Sequence, residues 1–176
     1  SPPAAAGTDP EVFAERRRRL VASMVRLMYD ARAAAFLDLQ EAGSRKIPIL
    51  TPTIFFPLAI PELDPGIAAR VLDAHFDDET QFAAPLPMPS VDMRDPAFYP
   101  GETLFIWRGP IWAPTNWFLY HALRKRGFAS RAERLRDSLA TLLQHGGFRE
   151  YYDPFTGAGH GAPDFTWSGL LVDMAD

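Results

Sequence analysis

Glu150 stands in the run Phe148-Arg149-Glu150-Tyr151-Tyr152-Asp153-Pro154, a carboxylate between an arginine and two tyrosines. Rings around a carboxyl raise its pKa, and hydrogen bonds from hydroxyls or an arginine lower it again. A general base has to be ionised, so the second influence must win if Glu150 is one. The competing reading is a surface glutamate paired with Arg149 or a helix cation. Upstream lies Ile106-Trp107-Arg108-Gly109-Pro110-Ile111-Trp112, then Asn116-Trp117; downstream lies Phe165-Thr166-Trp167. All four tryptophans fall within Trp107–Asp176, and the first hundred residues hold none. Aromatic rings stack on the C–H faces of sugars, polar groups read their hydroxyls, and carboxylates cut glycosidic bonds. The tail therefore reads as part of a sugar site. Arg108 can present its guanidinium to a carboxylate or a hydroxyl, or else stack on Trp107 or Trp112 as a structural cation.

Other chemistries find little support. Gly157-Ala158-Gly159-His160-Gly161 follows no strand and lacks the Lys-Ser/Thr of a phosphate-binding loop, so it reads as a flexible or close-approach turn. His75, His121, His145 and His160 have no zinc-binding spacing, and Asp77-Asp78-Glu79 has no calcium-loop spacing. No metal and no cofactor is expected. There is no nucleophile-elbow motif for a serine hydrolase and no cysteine. A net charge of −4 and a pI of about 5.5 argue against nucleic acid or a membrane surface as partner. Arg16–Arg19 reads as a solvated helix face, and Arg45-Lys46 within Ala42–Leu50 as a solvated loop or a second source of positive charge. No apolar run is long enough to cross a membrane, and a cytoplasmic location is the default.

The elements that must position these residues follow from punctuation and period. With 176 residues and 47% apolar composition, the chain is one domain or part of a larger one. Residues 1–8 read as a disordered lead-in or a cut end. Thr8-Asp9-Pro10-Glu11 starts a helix that is predicted to end near Tyr29–Arg32, with Phe13, Leu20, Met24 and Leu27 on its buried face. Prolines 48, 52, 57 and 61 keep Ala33–Leu63 irregular. A second helix is predicted over Pro65–Phe76 and a long proline-rich loop over Phe82–Tyr99, of a length that is often functional. A third helix is predicted at about Thr115–Arg126. A fourth opens on the capping box Ser130-Arg131-Ala132-Glu133 and stops at Gly146-Gly147. A last one covers Asp164–Met174.

These strings, with Pro57-Leu58, Phe82 and Pro85-Leu86-Pro87-Met88-Pro89-Ser90, resemble glycoside hydrolase family 63 over roughly Tyr29–Asp173. The bacterial mannosylglycerate and glucosylglycerate hydrolases look most alike, and the family 37 trehalases share a weaker version. The resemblance implies an all-α fold, part of an (α/α)6 toroid with long proline-rich loops. It implies an inverting hydrolase of a small α-glucoside or α-mannoside, with Glu150 as the general base. Trp107, Arg108 and Gly109 would line the sugar pocket with Trp112, Asn116, Trp117 and Tyr151, and Phe165 and Trp167 would close its wall. The family's acid, an aspartate in a tryptophan-rich segment, has no counterpart here. About five of twelve helices are present, so residues 9–176 read as the C-terminal half of the barrel. Its partner would be the missing N-terminal half or a second copy. A non-catalytic carbohydrate-binding relic or fragment is the alternative.

Overall fold

The computed structural model describes residues 9–41, 45–102 and 104–175; the lead-in expected at residues 1–8 lies outside them. Helix α1 (Pro10–Leu27) begins where expected, the Asp9 carboxylate accepting the Glu11 N–H at 2.9 Å. It stops before Tyr29 because the chain turns into a hairpin. Asp30 Oδ1 accepts the N–H groups of Arg32 and Ala33, a side-chain-stabilised turn. That turn pairs β1 (Tyr29–Asp30) with β2 (Ala35–Phe36). A second hairpin joins β3 (Leu39–Gln40) to β4 (Arg45–Lys46). Lys46 Nζ donates to the Tyr29 carbonyl and pairs with Asp30, while Arg45 binds Gln40. The stretch expected to be irregular thus holds two short ladders, whose partners no local pattern announces. Its prolines confine the rest to a 3-10 segment, Pro52–Ala59.

Helix α2 (Pro65–His75) is capped by Asp64 and ends within a residue of the prediction. Helices α3 (Ala113–Lys125) and α4 (Ala129–Gly146) form an antiparallel pair turned at Gly127. α4 does not use the expected capping box. It starts at Ala129, so Ser130 sits inside the first turn, and Glu133 binds Arg124 and Arg136 instead. After α4, β5 (Arg149–Tyr152) pairs antiparallel with β6 (Gly159–Pro163). The last segment, Thr166–Met174, is a 3-10 helix rather than an α-helix.

Helices therefore dominate, and each ladder among the described residues has two strands. Phe55, Phe76 and Phe82 meet edge to face in the core, with Ile54, Leu58, Leu72, Leu119, Leu123, Leu135 and Leu139 around them. His75 is buried beneath the first hairpin, between Gln81 Oε1 and the Ala33 carbonyl at 2.8 Å each. Arg126 closes the end of the first 3-10 segment by donating to the carbonyls of Leu58, Ile60 and Leu63.

One expectation fails in an informative way. Phe13, Leu20 and Leu27, predicted to be buried, are 51%, 56% and 38% exposed, and Val21 alone in α1 is buried. The helix is anchored near β1, by Val21 and Val25 against the body and by Arg17 on Glu62, while Val12, Phe13, Leu20 and Leu27 stay exposed. No helix among the described residues is long and apolar enough to cross a membrane.

Candidate active site

Glu150 lies on β5, just past the end of α4 rather than on the helix itself. Opposite it the ladder slips. Arg149 faces Pro163 and Tyr151 faces His160, so two residues of β6, Gly161 and Ala162, stand against the single residue Glu150. This is a β-bulge with a glycine at positive φ (+66°) in its first position. The bulge frees the Ala162 N–H, which donates to Glu150 Oε2 at 3.1 Å. Glu150 makes no ion pair among the described residues, so the expected alternative, pairing with Arg149, does not occur.

Tyr151 turns the other way and is buried against Trp112 (5.3 Å between ring centres) and His160 (5.8 Å). Burial pushes its hydroxyl above the ordinary tyrosine value, and the charges of Glu102 and Glu150 push it the same way. Glu102 thus joins this corner of the molecule. Sequence reasoning passed over it because an exposed glutamate in a loop carries no motif.

With Tyr151, five of the predicted aromatic residues assemble. Trp107 lies flat on Trp112, 3.9 Å between ring centres and 7° from parallel. Trp112 is buried, its indole N–H on the Ile106 carbonyl at 3.0 Å, and it also meets Trp167 at 5.8 Å. Trp167 in turn meets Phe165 edge to face at 5.0 Å. Trp107 and Trp167 stay half exposed and border an open, largely apolar groove of about 670 Å3 that also reaches Trp117. On its other side Trp107 borders a cleft of about 350 Å3 with the hydroxyl-bearing residues Thr51, Thr53, Ser90 and Thr115. A ring beside hydroxyls is the chemistry that reads a sugar. Glu150 lines neither opening.

Other predicted site residues do different work. Arg108 stacks over Phe105 at 4.4 Å, not over either tryptophan, and its carbonyl accepts the Tyr99 N–H. Gly109 is buried at φ +152° and donates its N–H to Ser90 Oγ at 2.9 Å. A Cβ there would sit 2.6 Å from the Tyr99 carbonyl oxygen, so glycine is required for the two backbones to approach. Asn116 is fully buried, accepting from Met88 N–H at 3.3 Å and donating to the Pro87 carbonyl at 2.9 Å. It holds the proline-rich loop on α3 and has no surface to offer a ligand. Trp117 donates its indole N–H to Asp173 at 2.7 Å, and His121 Nε2 meets the same oxygen at 2.9 Å. Through Asp173 the segment carrying Trp167 is fastened to α3. The Trp117 donation holds the Asp173 carboxyl below its ordinary value against the opposing effect of desolvation, and His121 adds to the lowering. Nothing in the sequence singles out Asp173. No cluster of metal-ligating residues occurs among the described residues.

A mainly helical body thus carries Glu150 on a bulged hairpin and, separately, a cluster of stacked tryptophans. The family model for the mannosylglycerate hydrolase MGH1-like glycoside hydrolase domain matches residues 4–168. The chain belongs to that family. It is 30% identical over 172 residues to the mannosylglycerate hydrolase of Rubrobacter radiotolerans, covering 96% of this chain and 38% of that protein. The family 63 mannosylglycerate hydrolase of Thermus thermophilus, solved with glucose, superposes with a TM-score of 0.82 at 32% identity, over 94% of this chain and 41% of that one. The neutral trehalase Nth1 of Saccharomyces cerevisiae, at 16% identity and a TM-score of 0.73 over 94% of this chain and 31% of that one, shares the fold alone. The fold is thus part of an (α/α)6 toroid, and the chain spans about 38% of the length of the first of these relatives.

Proposed function

We propose that this chain supplies the base side of an inverting glycosidase site, acting on a small α-linked glucoside or mannoside, by preference mannosylglycerate or glucosylglycerate. The observation that carries the reading is the state of Glu150. Its carboxylate is held at one oxygen by a backbone N–H, is bound to no cation among the described residues, and directly precedes in β5 the Tyr151 ring, which packs on Trp112 and through it on Trp107. A structural carboxylate at such a place is usually neutralised by a partner; one left acceptor-only can take a proton from water. In inversion that water attacks from the face opposite the leaving group, and the base stands back to leave room for it. The aspartate acid lies outside this chain. The mannosylglycerate hydrolase solved with glucose supports a pocket for either hexose.

The rest of the barrel completes the site. The exposed apolar residues of α1 (Val12, Phe13, Leu20 and Leu27) and the groove beside Trp107 are the kind of surface that association covers. Polypeptide carrying the remaining helices is the occupant we favour over a second copy, because the relatives are more than twice as long.

The test is hydrolysis of both glycerate glycosides by the complete protein with Glu150→Gln. That change keeps the shape and the Ala162 hydrogen bond and removes the base, so turnover falls by about two to four orders of magnitude while sugar still binds. Undiminished turnover removes Glu150 from the mechanism. Sugar binding with no turnover by the unaltered protein points instead to a carbohydrate-binding role.

A further inference from the structure

We infer that Gly161 is a positioning residue for the Glu150 carboxylate: the bulge it opens in β6 makes the space and supplies the hydrogen bond that aim this side chain. The inference rests on the reading of Glu150 as the base. Three observations carry it. The ladder is regular at Tyr152–Gly159 and Tyr151–His160, then gains one residue opposite Glu150 alone. A Cβ on Gly161 would lie 2.5 Å from Glu150 Oε2, 2.8 Å from Glu150 Cβ and 2.8 Å from Tyr151 Cε1. Real Cβ atoms do not come that close, so the carboxylate, or the Tyr151 ring packed on Trp112, has to move. The extra residue also takes the Ala162 N–H out of the ladder and turns it onto Glu150 Oε2. Without the bulge that N–H would pair across the strands and the carboxylate would lose its described donor.

The bulge therefore does two things with one residue. It holds Oε2 from below with a backbone donor, and it leaves Oε1 without a described partner. A general base needs that division: one oxygen fixed, the other available to water. Bulges next to active sites re-aim side chains in this way. The glycine has a second reason to be there, its φ of +66°, and the two reasons can be separated. Asparagine tolerates a left-handed backbone far better than alanine does, yet carries the same Cβ.

The experiment compares Gly161→Ala, Gly161→Asn and Glu150→Gln. The first readout is the Ala162 amide proton of the complete protein by NMR across acid pH. Hydrogen-bonded to the carboxylate, it shifts as that group titrates, and Glu150→Gln abolishes the shift. The second is kcat and KM of the complete enzyme. The expected result is that both Gly161 variants lose the Ala162 titration and lower kcat by about 10- to 100-fold, as an ångström of misplacement does, with KM changed less than about threefold. Gly161→Asn retaining the titration and the kcat while Gly161→Ala loses them would mean that backbone conformation alone matters, and would overturn the inference. Both variants keeping wild-type values would overturn it too. If Glu150→Gln turns over normally, the base reading falls, and the amide titration still decides whether Gly161 places the carboxylate. Far-UV circular dichroism and melting of each variant show whether a loss is merely unfolding; a Gly161→Ser variant, smaller than asparagine, then replaces any that fails to fold.

Discussion

Replacing Asn116 by alanine separates a structural clamp from a sugar contact. The side chain is fully buried between α3 and the proline-rich loop, 28 residues away in sequence from Met88. Removing it leaves the buried Met88 N–H without its acceptor, a penalty of about 1–3 kcal/mol. It also removes the donor to the Pro87 carbonyl. That carbonyl keeps a second donor, Ser138 Oγ at 2.6 Å, so this loss is smaller, about 1 kcal/mol. The sum is about 3 kcal/mol. For a chain of this size that lowers the melting temperature by about 6–12 °C. Ser138→Ala alone costs about 1 kcal/mol. The double variant costs about 1 kcal/mol more than the sum of the two, because the Pro87 carbonyl is then stripped of both donors. Urea unfolding followed by circular dichroism and by tryptophan fluorescence gives the three numbers, provided the two signals coincide. The reasoning is refuted if Asn116→Ala melts within about 1 °C of the unaltered chain while sugar affinity collapses. That result would return Asn116 to the binding pocket where sequence reasoning put it.

Two further outcomes are expected. Arg126→Ala opens three carbonyls at the end of Pro52–Ala59 and costs about 2–3 kcal/mol; Arg126→Lys recovers less than half in the same unfolding assay, since one ammonium cannot span a fork of acceptors. The Asp173 carboxyl is held below its ordinary value, first by the Trp117 N–H. A depressed folded-state value contributes stability that is present above the unfolded carboxylate value, near pH 4, and is lost as pH falls through the folded one. Thr166–Met174 therefore loosens in acid, seen as a change in Trp117 and Trp167 fluorescence, and Asp173→Asn removes that step. Asp78, held at about 2 by Thr80 and Gln81, contributes in the same sense, its share lost as pH falls toward 2.

What could be read from the sequence was local. α2, α3 and α4 were legible because an apolar period and a proline or glycine at their ends (for α2 at its start only) are properties of adjacent residues. Glu150, Trp107 and Trp167 stood out by residue type and spacing, and the fold brings Trp107 and Trp167 to one groove while Glu150 lies outside it. The misses share a different cause. The hairpins at Tyr29–Lys46 depend on which strand finds which, and strands of two residues leave almost no pattern. The capping box at Ser130 was a sound local signal overridden by the turn at Gly127, which started α4 two residues early and gave Glu133 to Arg124 and Arg136. The apolar stripe of α1 was visible in the sequence, but only the packed chain shows that Phe13, Leu20 and Leu27 on it stay exposed among the described residues. Asn116 looked like a ligand contact by type, and its burial was decided by Met88, far off in sequence; Trp117 still lines the groove with its ring, but its N–H is taken by Asp173. Residue identity thus determined which chemistry this chain can carry. Tertiary structure decided which groups are free to perform it, because a hydrogen bond satisfied inside the fold is no longer available to a substrate.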